Sequence, residues 1–149
     1  MSGRLFSVIS IPGPSIDMNS NSSRNFSIRK RLESFLYAFR GIGLLIRSEH
    51  NARIHFAALI LVIIAGVWFK IEKLDWIIIV LVSAFVFSSE AINSAIESLA
   101  DEVSEEKRER IRNAKDLAAG AVLIAAISAT VAGIYIFLPD VLALFGIEL

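Results

Sequence analysis

From Leu117 to Leu138 the chain runs for 22 residues without a charged side chain. A helix needs about 20 apolar residues to cross a bilayer core, so this stretch constrains the fold more than any other feature. Trp76–Ala100 is also long enough but contains Glu90 and Glu97, while Ile54–Phe69 spans only if its flanks reach the interfaces. Trp68, Lys70, Lys73 and Trp76 surround the hinge between these two runs, a pairing of aromatic and basic residues that membrane–water boundaries favour. The pattern predicts an all-α integral membrane protein with three transmembrane helices, at about 54–70, 75–100 and 115–138. A soluble bundle of buried helices is the weaker alternative, given the length of the last run.

Composition narrows the function classes. Hydrophobic residues make up 55% of the 149, and 15 basic side chains balance 15 acidic ones. A net charge of zero argues against a general nucleic-acid binder, which needs a basic excess. The absence of cysteine removes disulfide frameworks, thiolate metal sites and thiol nucleophiles, and two histidines leave little room for a His-based metal site. The charges are unevenly distributed. Residues 1–53 hold eight Lys or Arg and residues 101–115 hold five, whereas the chain after Leu138 has none. The positive-inside rule then places the N-terminus and the 101–115 loop in the cytoplasm, with the hinge and C-terminus outside.

Residues 1–27 are rich in Ser, Asn, Pro and Gly and lack helical periodicity, which predicts a disordered N-terminal extension. The apolar patch Leu5–Ile11 has no small-residue cleavage site after it, so it does not read as a secretory signal, and Met18 is a candidate start. Residues 28–48 differ. Ile28, Leu32, Phe35, Leu36, Phe39, Ile42 and Ile46 form one apolar stripe opposite Arg29, Lys30, Glu33, Arg40 and Arg47. A basic amphipathic helix immediately before a span reads as a surface helix in the cytoplasmic interface.

Charged groups inside a span are costly, by about 2.5–3.5 kcal/mol each on insertion scales, and mark functional sites by default. Glu90, Asn93, Glu97 and Asp101 share one face of the second span, in a row ~16 Å long that runs toward the cytoplasmic rim. Such a row must face water, cations or another helix rather than lipid. Carboxylate oxygens suit hard cations such as Mg²⁺, and a carboxylate pair can bridge Mg²⁺ to phosphate. Across the loop, Lys115 offers a cation for phosphate oxygens beside Asp116, and Glu49 adds an acidic group before the first span. Interhelical packing through Glu–Lys pairs explains the row less well, because two Glu and one Asn on a stripe exceed what packing requires. The loop 101–113, with its Glu106/Arg110 pair, reads as a solvated helix. The chain contains no Gly-x-x-x-x-Gly-Lys phosphate loop, dinucleotide fingerprint, kinase catalytic loop or nucleophile elbow.

Four elements carry a family resemblance: Tyr37-x-x-x-Gly41, Glu49-x-Asn51-x-Arg53-Ile54-His55, Glu90-x-x-Asn93-x-Ala95-Ile96-Glu97-x-x-x-Asp101 and Ala114-Lys115-Asp116-x-Ala118-Ala119-Gly120-Ala121-Val122. Together they resemble the small prokaryotic diacylglycerol kinase and undecaprenol kinase family over roughly residues 28–138. The resemblance implies a homotrimeric bundle with active sites between subunits, in the bacterial cytoplasmic membrane. It implies transfer of the ATP γ-phosphoryl group to a membrane lipid alcohol with Mg²⁺, and a lipid kinase domain over residues 28–149.

Carried over residue by residue, the resemblance makes Glu90 the general base. Glu49 and Glu97 become the carboxylates that hold Mg²⁺, and Tyr37, Lys115 and Asp116 become nucleotide-contacting positions. Asn93 orients the site, and Asp101 lies on the same face in a positioning role. Ala118-Ala119-Gly120 and the Asn-x-Arg-Ile-His element resemble the undecaprenol kinases and favour that acceptor, with diacylglycerol second. Lys107 and Arg108 stand where some relatives have an aromatic and a histidine. The competing class is a small oligomeric protein that conducts or exchanges cations along the Glu90–Glu97 stripe. Lys115 and cytoplasmic Glu49 favour the kinase, since an ion path needs no phosphate-binding cation.

Overall fold

The computed structural model describes residues 27–103 and 108–147. The readings placed on residues 1–26, on Lys107 and on the Glu106/Arg110 pair lie outside the described residues. Four helices follow in order: α1 Ile28–Ser48, α2 His50–Phe69, α3 Lys73–Val103 and α4 Glu109–Leu144. The last three are long and apolar enough to cross a membrane.

The helix ends follow local chemistry. Ser27 caps α1 by accepting a hydrogen bond from the Lys30 amide at 3.4 Å. A single extended residue, Glu49, then separates α1 from α2, and it caps the end of one helix and the start of the next. Lys70 ends α2 in the left-handed region at φ 56°. It is the one non-glycine residue with positive φ among the described residues, a conformation that costs a side-chain-bearing residue about 1–2 kcal/mol. The Asp75 carboxylate accepts from the Glu72 amide at 3.2 Å, satisfying a free N–H at the start of α3, where negative charge also suits the helix dipole.

α4 extends beyond the expected span at both ends. It begins at Glu109 and continues through Pro139 to Leu144, so the helix outlasts the apolar run that ends at Leu138. Proline removes one intrahelical hydrogen bond here without ending the helix. At ~1.5 Å per residue, α3 and α4 are ~46 and ~54 Å long. Both exceed the ~30 Å hydrocarbon core, whereas α2 matches it.

Packing centres on the α3–α4 hairpin. Ile79 and Val86 of α3 are buried, as are Ala118, Ala125 and Ile136 of α4, and the two small alanines allow a close approach. α2 lies against this pair more loosely, with Phe69 meeting Phe137 at 6.3 Å between ring centroids. At the hinge, the Trp76 indole covers Gly66. Large apolar side chains such as Leu61, Val67, Leu81, Phe85, Leu123 and Val131 are exposed. In water such a surface would aggregate, and in a bilayer it is the expected exterior.

The hinge contact gives a direct test. A Cβ on Gly66 would stand 2.8 Å from the Trp76 ring and 3.0 Å from Ile71 Cδ1, so Gly66→Ala forces the indole aside. We expect a loss of about 1 kcal/mol, at the low end for overpacking because the indole can swing outward. Denaturant unfolding in detergent micelles should show the loss, and Trp76→Leu in the same background should relieve it.

Candidate active site

The polar row on α3 lies where its helix crosses from lipid toward solvent. Val86, Ser89, Glu90 and Asn93 follow helical spacing and are buried, with Glu90 only 2% exposed. Glu97 is half-buried and Asp101 exposed, so accessibility rises along the row. About 26 Å of helix axis separates Lys73 from Glu90. Measured from the hinge, Glu90 therefore stands near the far edge of a ~30 Å core, and Glu97 and Asp101 extend past it.

Each member of the row has a defined neighbour. Asn93 Nδ2 donates to Glu97 Oε1 at 2.9 Å, which fixes the Glu97 carboxylate and leaves Asn93 Oδ1 buried without a donor among the described residues. Lys115 Nζ in the second turn of α4 donates to Asp101 Oδ1 in the last turn of α3 at 2.9 Å, joining the two long helices. That bond uses one of three ammonium donors, so Lys115 retains capacity for a phosphate oxygen. Glu49 accepts from Ser48 Oγ at 3.3 Å. Glu49 and Glu97 are both near enough for their charges to act on Glu90.

Glu90 itself faces α2. His55 Nε2 lies 3.3 Å from Glu90 Oε1, within ion-pair range but outside hydrogen-bond geometry, so Oε1 has no hydrogen-bond donor among the described residues. Ser94 Oγ is likewise buried and without a partner. Helical spacing does not pick out His55, although it closes the motif Glu49-x-Asn51-x-Arg53-Ile54-His55. Its available signal was simple: it is the one ionisable side chain in the run Ile54–Phe69. Periodicity within a helix cannot show which residue on a neighbouring helix completes a pair.

Below this pair an apolar cavity of about 370 Å³ opens between α2, α3 and α4. His55 lies on its wall with Leu59, Val62, Val86, Ala129 and Phe137. Two expected site residues stand apart. Tyr37 is on an exposed face of α1 with the Arg40 guanidinium 5.9 Å from its ring centroid, and Asp116 is exposed beside Lys115. Among the described hydrogen bonds and ion pairs, neither reaches the row.

Membrane helices, a graded row of carboxylates and an adjacent lysine match a known group of proteins. The family model for prokaryotic diacylglycerol kinase matches residues 36–137. The chain belongs to the prokaryotic diacylglycerol kinase family. It is 37% identical over 122 residues to the undecaprenol kinase of Bacillus subtilis, covering 82% of this chain and 98% of that protein. It is 38% identical over 114 residues to a diacylglycerol kinase of Synechocystis, covering 76% of this chain and 65% of that protein. The diacylglycerol kinase of Escherichia coli is 28% identical over 95 residues, 64% of this chain and 78% of that protein. Family membership makes the chain a bacterial membrane enzyme of the lipid kinase class, for which ATP is the implied phosphoryl donor.

The Asn93–Glu97 bond yields a prediction for this kinase. Asn93→Leu removes the donor that orients the Glu97 carboxylate, a charge-assisted bond of about 1.5–3 kcal/mol. Lipid phosphorylation should fall on the order of tenfold or more, with helical content by circular dichroism unchanged.

Proposed function

We propose that the protein transfers the γ-phosphoryl group of ATP to the hydroxyl of a membrane lipid alcohol, with undecaprenol the favoured acceptor and diacylglycerol the second. The observation that carries this reading is the buried carboxylate of Glu90, whose Oε1 has no hydrogen-bond donor among the described residues, near the edge of the apolar core and above an apolar cavity. A lipid hydroxyl and a water-borne nucleotide can meet only at such a level. The similarity to the Bacillus subtilis undecaprenol kinase, which extends over nearly all of that protein, supports the preference for undecaprenol.

In this reading Glu90 accepts the proton of the lipid hydroxyl as its oxygen bonds to the γ-phosphorus. The bond from that phosphorus to the bridging oxygen breaks, and ADP leaves. Lys115 neutralises charge on the phosphate oxygens, and Asp101 holds its ammonium toward the loop. Asn93 keeps Glu97 in a single orientation. Tyr37 and Asp116 are assigned to the nucleotide, reached from the solvent side. Phosphoryl transfer depends mainly on positioning and charge neutralisation, which these groups supply without covalent participation.

Glu49 and Glu97 are the residues assigned to Mg²⁺. The donor set fits that ion. Among the described residues no three His, Asp or Glu side chains form a cage, and Mg²⁺ is usually held by one or two carboxylates together with substrate phosphates and water. When bound, Mg²⁺ supplies neutralisation of the developing phosphate charge.

The positive-inside rule supports an orientation with the N-terminus and the 101–115 loop in the cytoplasm, on the ATP-containing side. α1, with its apolar stripe exposed, is assigned to the cytoplasmic membrane surface. A homotrimer with sites between subunits, as the resemblance implies, accounts for part of the apolar surface left uncovered on α2–α4.

The deciding experiment offers undecaprenol and diacylglycerol side by side, in separate mixed micelles, to purified protein and radiolabelled ATP. Labelled undecaprenyl phosphate as the dominant product is expected, and no product from either lipid would overturn the reading in favour of a cation path. Glu90→Gln should abolish labelling while the oligomer persists on size-exclusion chromatography. Glu49→Ala and Glu97→Ala should each raise the Mg²⁺ concentration needed for half-maximal rate, and unchanged metal dependence in both would remove the metal assignment.

A further inference from the structure

His55 occupies a position that packing alone does not explain. It is the one ionisable residue between Arg53 and Lys70, at a depth where a polar ring carries a desolvation cost. Its imidazole borders two different environments. Its Nε2 meets Glu90 Oε1 at 3.3 Å, and the residue also forms part of the wall of the apolar cavity. The exposures are unequal: the His55 side chain is 25% exposed and that of Glu90 only 2%. His55 lines the cavity and Glu90 does not, so a molecule entering it meets the imidazole before it meets the carboxylate.

We propose that His55 is a positioning residue of the phosphoryl transfer, which holds the Glu90 carboxylate in place at the head of the cavity where the lipid's hydroxyl end arrives. The proposal rests on the lipid kinase reading of the same site. A carboxylate has about four lone-pair positions, so one bond from Nε2–H to Oε1 leaves the others for a substrate hydroxyl. The 3.3 Å separation is close enough for a small ring rotation to complete that bond, and catalytic hydrogen bonds are often long before substrate binds. The cavity wall is otherwise apolar, apart from Ser83 and Thr130, so the imidazole marks the polar end of a slot suited to a hydrocarbon chain.

The test compares His55→Leu, which fills similar space without a donor, with His55→Gln, whose amide retains one. Initial rates are measured in mixed micelles of undecaprenol at varied ATP, with circular dichroism checking that both variants are folded. His55→Leu should lower kcat on the order of 10–100-fold, the loss expected when a reacting group is misplaced, with KM for ATP within about twofold of wild type. His55→Gln should recover most of that loss. Wild-type kcat in His55→Leu, or equal impairment in both variants, would overturn the proposal.

A second readout does not depend on turnover. ¹⁵N NMR of His55 should show a protonated Nε2 whose shift moves in Glu90→Gln, and an unresponsive signal would also overturn the assignment. Failure of wild-type protein to phosphorylate either lipid bears on the lipid kinase reading instead, and the NMR result still decides whether His55 holds Glu90.

Discussion

A carboxylate withdrawn from water near the edge of a bilayer core is the constraint on which the rest of this structure depends. Such a group is tolerated only where protein surrounds it and polar neighbours compensate for lost hydration. Glu90 meets the first condition through the α3–α4 hairpin and the facing turn of α2, and the second only in part. The neighbouring carboxylates Glu49 and Glu97 add repulsion rather than relief. An arrangement that concentrates negative charge in this way gains by receiving cations, the role that the proposed function gives to a metal-bound nucleotide and the lysine of α4.

The helices divide this work unequally. α3 and α4 approach closely through Ala118 and Ala125 and carry the row and its lysine, so that part of the site is held by the most tightly packed pair of elements. α2 packs less extensively, yet it brings His55 to Glu90 and forms one wall of the cavity. The tightly packed pair thus bears the polar row assigned to phosphate, while all three helices border the separate apolar space assigned to lipid. That division suits an enzyme whose two substrates arrive from different phases.

Much of this was legible in the linear chain, for physical reasons. Membrane spans announce themselves because the bilayer sets both length and polarity, and the row on α3 stands out because charge within a span is rare. The extent of α4 was less legible: Pro139 and Asp140 interrupt the apolar run while the backbone remains helical, so the end of that run is not the end of the helix. The His55–Glu90 pair could not be read from spacing, since it joins different helices. Tyr37 illustrates the opposite limit. Its assignment rests on a short motif alone, because its ring lies on an exposed face of α1 beside Arg40 with no contact to the row among the described hydrogen bonds and ion pairs.

The junction at Glu49 has a mechanical consequence. One extended residue joins α1 to α2, so no slack chain exists between a helix assigned to the membrane surface and one that crosses the membrane. Any change in the angle between them must pass through the backbone torsions of Glu49 and sweep its carboxylate through space. The angle of α1 to α2 and the position of an acidic group whose charge acts on Glu90 are therefore coupled through one residue.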